Sequence, residues 1–245
     1  MIDTVVSGEK KYGDDDCWRA LFKAPTEEKW VNKSLVHMGY PDLTRIHPDI
    51  HAKTKTLSER IRKQANPRFL FKSEAFLEIS KSGVRSQGFT LNSDNWGRVA
   101  SSMESPEEIC CFGLTLGQEI EDTIASLSSQ SILHGFIYDA LCSTLAEHYA
   151  NQAETNLARC YSRKNLMITR RFSPGYCDVP FVETQKAIFQ FCDMNAIGVT
   201  LSSSGLMIPR KSITAIVFAS KRLPFRHPCS FCKTSCKYRR PSGTL

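Results

Sequence analysis

Two segments of the 245-residue chain hold side chains whose types and spacing suit chemistry. In Arg171-Phe-Ser-Pro-Gly-Tyr176 a permanent cation, a backbone freed by glycine and an aromatic ring fall within six residues. A guanidinium grips a carboxylate through two parallel hydrogen bonds, and glycine lets a ligand come close to the main chain. The loop therefore suits an anionic ligand with a ring for Tyr176 to stack on. A turn with an exposed arginine and a core tyrosine has the same sequence, so both readings stand at this point.

The second segment is Pro228-Cys-Ser-Phe-Cys-Lys-Thr-Ser-Cys-Lys-Tyr-Arg239. Its spacing puts the thiolates of Cys229 and Cys232 within reach of one soft metal, with Cys236 as a third ligand, and the neighbouring cations favour the thiolate form. Three readings follow: an iron–sulfur or zinc site whose fourth ligand comes from His227, a distant cysteine, a partner or an exogenous group; redox-active or partner-exchanged thiols; or a tail without a site. The other seven cysteines are scattered, as packing residues are.

Charge follows the same division. The formal net charge is +7, yet Met194–Leu245 contains nine lysines and arginines and no acid, so the rest of the chain is slightly acidic. No run of 18 apolar residues exists, and Met1–Lys11 has neither a basic nor an apolar signal region, so a membrane span and ordinary secretion are not expected and the cytoplasm is. Three clustered cysteines without a second pair, and no aromatic stripe, argue against a nucleic-acid partner.

The elements that must position these residues are readable from periodicity. Residues 1–31 are expected to be a mobile extension, 32–222 the folded domain and 223–245 a basic tail. Pro48–Ala65 has a helical pattern that Pro67 ends; Arg68–Ile79 and Ile109–Leu116 read as strands; Ser93 caps a helix through Met103. Helices follow at Gln118–Leu127 and His134–Thr155, the second with Ile137, Leu141, Leu145 and Tyr149 as its apolar stripe. Glu147, His148 and Asn151 lie off that stripe, so Glu147 is either a ligand contact or an exposed helical carboxylate. Arg170–Pro180 is a loop, Val182–Met194 a helix, and Ile197–Leu201 and Ile213–Phe218 are strands.

The order from the Arg171 loop onward resembles the activation domain of cobalamin-dependent methionine synthase. That family has an Arg-x-x-x-Gly-Tyr loop, a helix, a strand, a Ser/Met/Pro segment and a Ser-containing strand ending in an aromatic, here Ser212-Ile-Thr-Ala-Ile-Val-Phe218. Val36-His-Met-Gly-Tyr40, Phe112-Gly-Leu-Thr-Leu-Gly117 with Glu119, and Tyr138-Asp-Ala-Leu-Cys-Ser-Thr-Leu-Ala-Glu147 are similar to the free-standing form of the domain.

The resemblance implies an α+β fold, with a bent, largely antiparallel sheet flanked by helices. It implies binding of S-adenosylmethionine: Arg171 to its carboxylate, Ser173, Pro174 and Gly175 to its amino-acid or adenosine portion, Tyr176 at the border of its cavity, and Glu147 near the ligand. It implies as partners a cobalamin-binding methionine synthase or other corrinoid protein on a separate chain, and a flavodoxin- or ferredoxin-type electron donor. The implied function is reductive reactivation of that corrinoid enzyme.

Three positions depart from the family pattern. Phe172 replaces the first proline of Arg-Pro-x-Pro-Gly-Tyr, Asn165 stands where an acid precedes the loop, and Ser202-Ser-Ser204 stands for Thr-Glu-Ser. With two carboxylates absent, the alternative is a non-catalytic scaffold that binds a corrinoid protein and has lost S-adenosylmethionine.

Overall fold

The computed structural model describes residues 23–223 together with 232, 235 and 236. The chain enters through α1 (Glu27–His37), whose Trp30, Val31, Ser34 and Leu35 are buried. The indole N–H of Trp30 donates to the Leu141 carbonyl at 3.0 Å and to the Thr144 hydroxyl at 3.2 Å. Residues 27–31, read from composition as extension, are thus docked: one buried aromatic outweighs the charged residues around it. Helix α2 (Pro48–Gln64) starts on a proline whose missing N–H costs nothing in the first turn, and it buries Leu57 and Ile61.

The main sheet is antiparallel and has the strand order β1–β5–β9–β6, with β1 at Arg68–Ala75, β5 at Glu104–Thr115, β6 at Met167–Ile168 and β9 at Ser212–Arg222. Strand β5 is central, and its residues alternate between two cores. Cys110, Phe112 and Leu114 pack with Ala215, Val217 and Ala219 on one face, while Ile109 and Cys111 pack with Ile216 and Phe218 on the other. Burial on both faces explains why Ile109–Leu116 reads as an unbroken apolar run.

The expected strand Arg68–Ile79 is two strands, because the chain leaves the sheet after Ala75. Its end, β2 (Glu78–Ser80), joins β3 (Gly83–Arg85) and β4 (Thr90–Asn92) in a small antiparallel sheet. Helix α3 (Asp94–Ser102) begins at the Ser93 cap, whose hydroxyl accepts from the Trp96 N–H. Helices α4 (Gln118–Gln130) and α5 (Ile132–Ser162) then cover the first core. Helix α5 outruns the expected end at Thr155 because Leu157, Cys160 and Tyr161 continue its buried stripe.

After α6 (Phe181–Phe191) the segment read as strand Ile197–Leu201 begins on the last residue of a 3-10 turn, Met194–Ile197, closed by Gly198 at φ +72°. Only Thr200–Leu201 is strand (β7), paired with β8 (Met207–Ile208). The architecture is α+β with every described strand pair antiparallel. Cys110, Cys111, Cys142 and Cys192 are buried, and burial pushes the Cys192 thiol up to about 12 and those of Cys110 and Cys111 well above the ordinary range, as inert packing thiols require. Cys160, also buried, is disulfide-bonded. Among the described residues, no helix is long and apolar enough to cross a membrane.

Candidate functional site

The segment after β6 runs back along the outer edge of β9. Phe172 and Ile216 exchange two backbone hydrogen bonds, 3.0 and 2.8 Å, forming a one-residue bridge. In extended backbone adjacent side chains point to opposite faces. Phe172 enters the second core, 3% exposed, stacked on Trp96 at 3.3 Å between ring centres and edge-on to Phe218 at 5.4 Å. Arg171 therefore turns the other way, towards α5.

There the guanidinium meets three acceptors. Its Nη1 donates to Asn151 Oδ1 at 2.7 Å and to Glu154 Oε2 at 2.9 Å, and its Nη2 donates to Glu147 Oε2 at 2.7 Å. The arginine side chain is 14% exposed, that of Glu154 9% and that of Glu147 54%. The second oxygen of Glu154 pairs with Arg170 Nε at 3.1 Å. Of the candidates read from sequence, Arg171 and Glu147 are thus brought into contact. Asn151 and Glu154 complete the cluster, and the sequence reading gave neither a role; their signal is the spacing i, i+4, i+7 from Glu147 along one helix.

The remaining candidates build the turn. Ser173 Oγ donates to the Thr214 carbonyl at 2.7 Å, tying the loop to β9. Gly175 has φ +86°, a left-handed conformation that suits glycine. Tyr176 is 60% exposed, so the core-tyrosine reading is corrected. Phe181 sits against both Gly175 and Gly205 and is itself exposed.

Beside Glu147 lies a cleft of about 510 Å³, bounded by Lys33 and His37 of α1, Ser143 of α5, and Arg210 and Lys211 before β9. Lys211 is anchored by Asp139 at 2.8 Å and Ser143 at 2.9 Å, and Arg210 by Glu121. A neighbouring hollow of about 410 Å³ shares Lys33 and Thr144 with it and reaches Asn151.

The positions that depart from the family pattern have local work. Asn165 takes φ +58° in the turn after α5, a conformation that asparagine tolerates. Ser202 Oγ lies 2.9 Å from Ser204 Oγ and accepts from the Leu206 N–H at 3.0 Å, closing the β7–β8 turn. Of the tail cysteines, Cys229 lies outside the described residues, Cys232 is buried and Cys236 exposed. Among the described residues no cluster of three or more His, Cys, Asp or Glu could hold a metal.

Asp178 fastens the far end of the loop to α3. Its carboxylate accepts from the Ser93 hydroxyl and, at 3.0 Å, from the Asn95 N–H. Burial opposes its ionisation, but these hydrogen bonds outweigh burial and hold its carboxyl below the usual range. A lowered folded-state value gives stability that is present above the ordinary aspartate range and lost as pH falls through it. Asp178→Asn is expected to cost about 1 kcal/mol at neutral pH, as loss of a helix-capping carboxylate does, and little in acid. Urea midpoints at neutral and acidic pH test this; an equal cost at both would refute the ionic reading.

A family model described as the vitamin B12 dependent methionine synthase activation domain matches residues 98–225. Among solved structures, the MetH reactivation domain bound to AdoHcy is similar in fold, with a TM-score of 0.57 over 83% of this chain and 78% of that one, at 15% identity. A direct comparison with curated protein sequences finds no match.

Proposed function

Because this chain belongs to the family of vitamin B12 dependent methionine synthase activation domains, we propose that it holds S-adenosylmethionine against the cobalamin of a partner and so returns an oxidised corrinoid methyltransferase to its active cycle. The single observation that carries the reading is Arg171: a largely buried, always-charged fork beside Glu147, which lines a cleft of about 510 Å³. An arginine for the carboxylate and a glutamate for the ammonium match the two charges of an amino-acid group. The turn at Ser173–Gly175 offers backbone to the rest of the ligand, and the exposed rings of Tyr176 and Phe181 offer apolar surface.

Repair takes one electron from a flavodoxin- or ferredoxin-type donor and one methyl group from the sulfonium, with S-adenosylhomocysteine as the leaving group. The partner's corrinoid supplies the nucleophile. What remains for this chain is to bind, orient and exclude water, and catalysis by positioning needs no acid–base pair of its own. The basic C-terminal stretch, mostly outside the described residues, suits steering of an acidic electron donor.

The test mixes the full chain with a corrinoid protein in the cob(II)alamin state, a reductant and S-adenosylmethionine, and follows corrinoid methylation by absorbance. Methylation that requires both this chain and S-adenosylmethionine is the expected result. Failure with every corrinoid methyltransferase of the source cell overturns the reading. Calorimetry separates the scaffold alternative, for which binding of the corrinoid protein persists while S-adenosylmethionine does not bind.

A further inference from the structure

We infer that Glu154 and Asn151 form a fixed cradle for Arg171, whereas Glu147 is a placeholder that gives way to the carboxylate of the ligand; the inference rests on the ligand reading above. The three acceptors differ in how tightly they are held. Both hydrogens of Arg171 Nη1 are taken, by Asn151 and Glu154. Glu154 is 6% exposed and is also paired with Arg170, so pulling Arg171 away strands a buried carboxylate beside one partner. Glu147 is 54% exposed and bonds to Arg171 through one oxygen. An exposed ion pair is worth little, because water replaces it.

An incoming carboxylate is therefore kept off Nη1 and meets the guanidinium on its Nη2 and Nε side, where Glu147, exposed and held through one oxygen, is the acceptor that gives way when the ligand takes Nη2. The Nη1 side stays in place, so the arginine keeps its rotamer before and after. Once released, Glu147 still lines the cleft and is free to take the ammonium of the same ligand. Paired with Nη2, it stands where the ligand carboxylate would, which keeps Arg171 preorganised at the cost of competing with the ligand. Glu154 and Asn151 are then positioning residues and do not touch the ligand.

Three probes separate these roles by calorimetry on the full chain: S-adenosylhomocysteine, its deaminated analogue that keeps the carboxylate, and 5′-methylthioadenosine, which lacks the whole amino-acid part. Glu147→Gln is expected to tighten the deaminated analogue several-fold, because the internal competitor loses its charge. Glu154→Gln is expected to weaken the same analogue about tenfold, the loss that follows from a loosened charge-assisted contact. Neither variant is expected to move 5′-methylthioadenosine, and that invariance reports an intact fold. Should Glu154→Gln fail to fold, Asn151→Ala replaces it, with a smaller expected loss in the same direction.

Weaker binding of the deaminated analogue by Glu147→Gln overturns the placeholder role. Unchanged binding in Glu154→Gln and in Asn151→Ala overturns the cradle. If the unaltered chain binds none of the probes, the ligand reading falls and this inference falls with it.

Discussion

Arg171→Ala is expected to lower the affinity for S-adenosylhomocysteine by a hundredfold or more while weakening the fold as well. A charge-assisted hydrogen bond contributes about 1.5–3 kcal/mol, and a carboxylate held on a guanidinium loses two such contacts or one contact and a field, so a total near 3 kcal/mol corresponds to roughly a hundredfold. The second effect comes from Glu154. With Arg171 gone, a carboxylate 6% exposed keeps only Arg170, which is itself half exposed. Removing one partner of a buried pair costs about 3–5 kcal/mol, and the remaining arginine reduces this to about 1–3 kcal/mol. Arg171→Lys separates the two losses, because it restores charge near Glu154 but not the planar fork. Stability measured by urea is expected to recover further than affinity measured by calorimetry. An Arg171→Ala protein that binds the ligand as the parent does would remove this arginine from the site.

How much of this was legible in the sequence depends on which residues interact locally. The loop was visible because Pro174 and Gly175 forbid regular structure and Arg171 and Tyr176 flank them. The apolar stripe of α5 was visible from its four-residue recurrence, and Glu147 and Asn151 stood out as lying off it. Glu154 was not, although it lies inside the expected helix at helical spacing from Glu147, because nothing within a few residues says that a buried carboxylate there is matched by two arginines from a later segment. Trp30 escaped for the same reason: its partners, Leu141 and Thr144, are more than a hundred residues away. The double-sided burial of β5 could be read from its unbroken apolar run, whereas the break of Arg68–Ile79 into β1 and β2 could not, since it reflects where the sheet ends.

Phe172 is where fold and site meet, and Phe172→Ala is the second large effect to expect. Its ring, 3% exposed, lies flat on Trp96 and edge-on to Phe218, so truncation leaves a cavity between two aromatic rings. Loss of a buried phenylalanine costs about 3–5 kcal/mol, lowering the urea midpoint without a change of slope. The family's usual proline fits this position poorly. The Phe172 N–H donates to the Ile216 carbonyl at 3.0 Å, and proline has no N–H to give, so Phe172→Pro is expected to destabilise by at least as much as alanine despite restoring the family residue. Both variants also reach the ligand indirectly. Arg171 is aimed at α5 because its neighbour is locked into the opposite core, and a loop that pivots by an ångström misplaces the fork that, on the proposed reading, meets the ligand carboxylate. Affinity for S-adenosylhomocysteine is therefore expected to fall in Phe172→Ala under conditions where the protein is still folded, while 5′-methylthioadenosine binds nearly as before. A stability loss below about 1 kcal/mol would show that the cavity closes by itself. Parent-like affinity in a folded but strongly destabilised Phe172→Ala protein would show that the cradle of α5, not the core behind the loop, is sufficient to hold Arg171 in place.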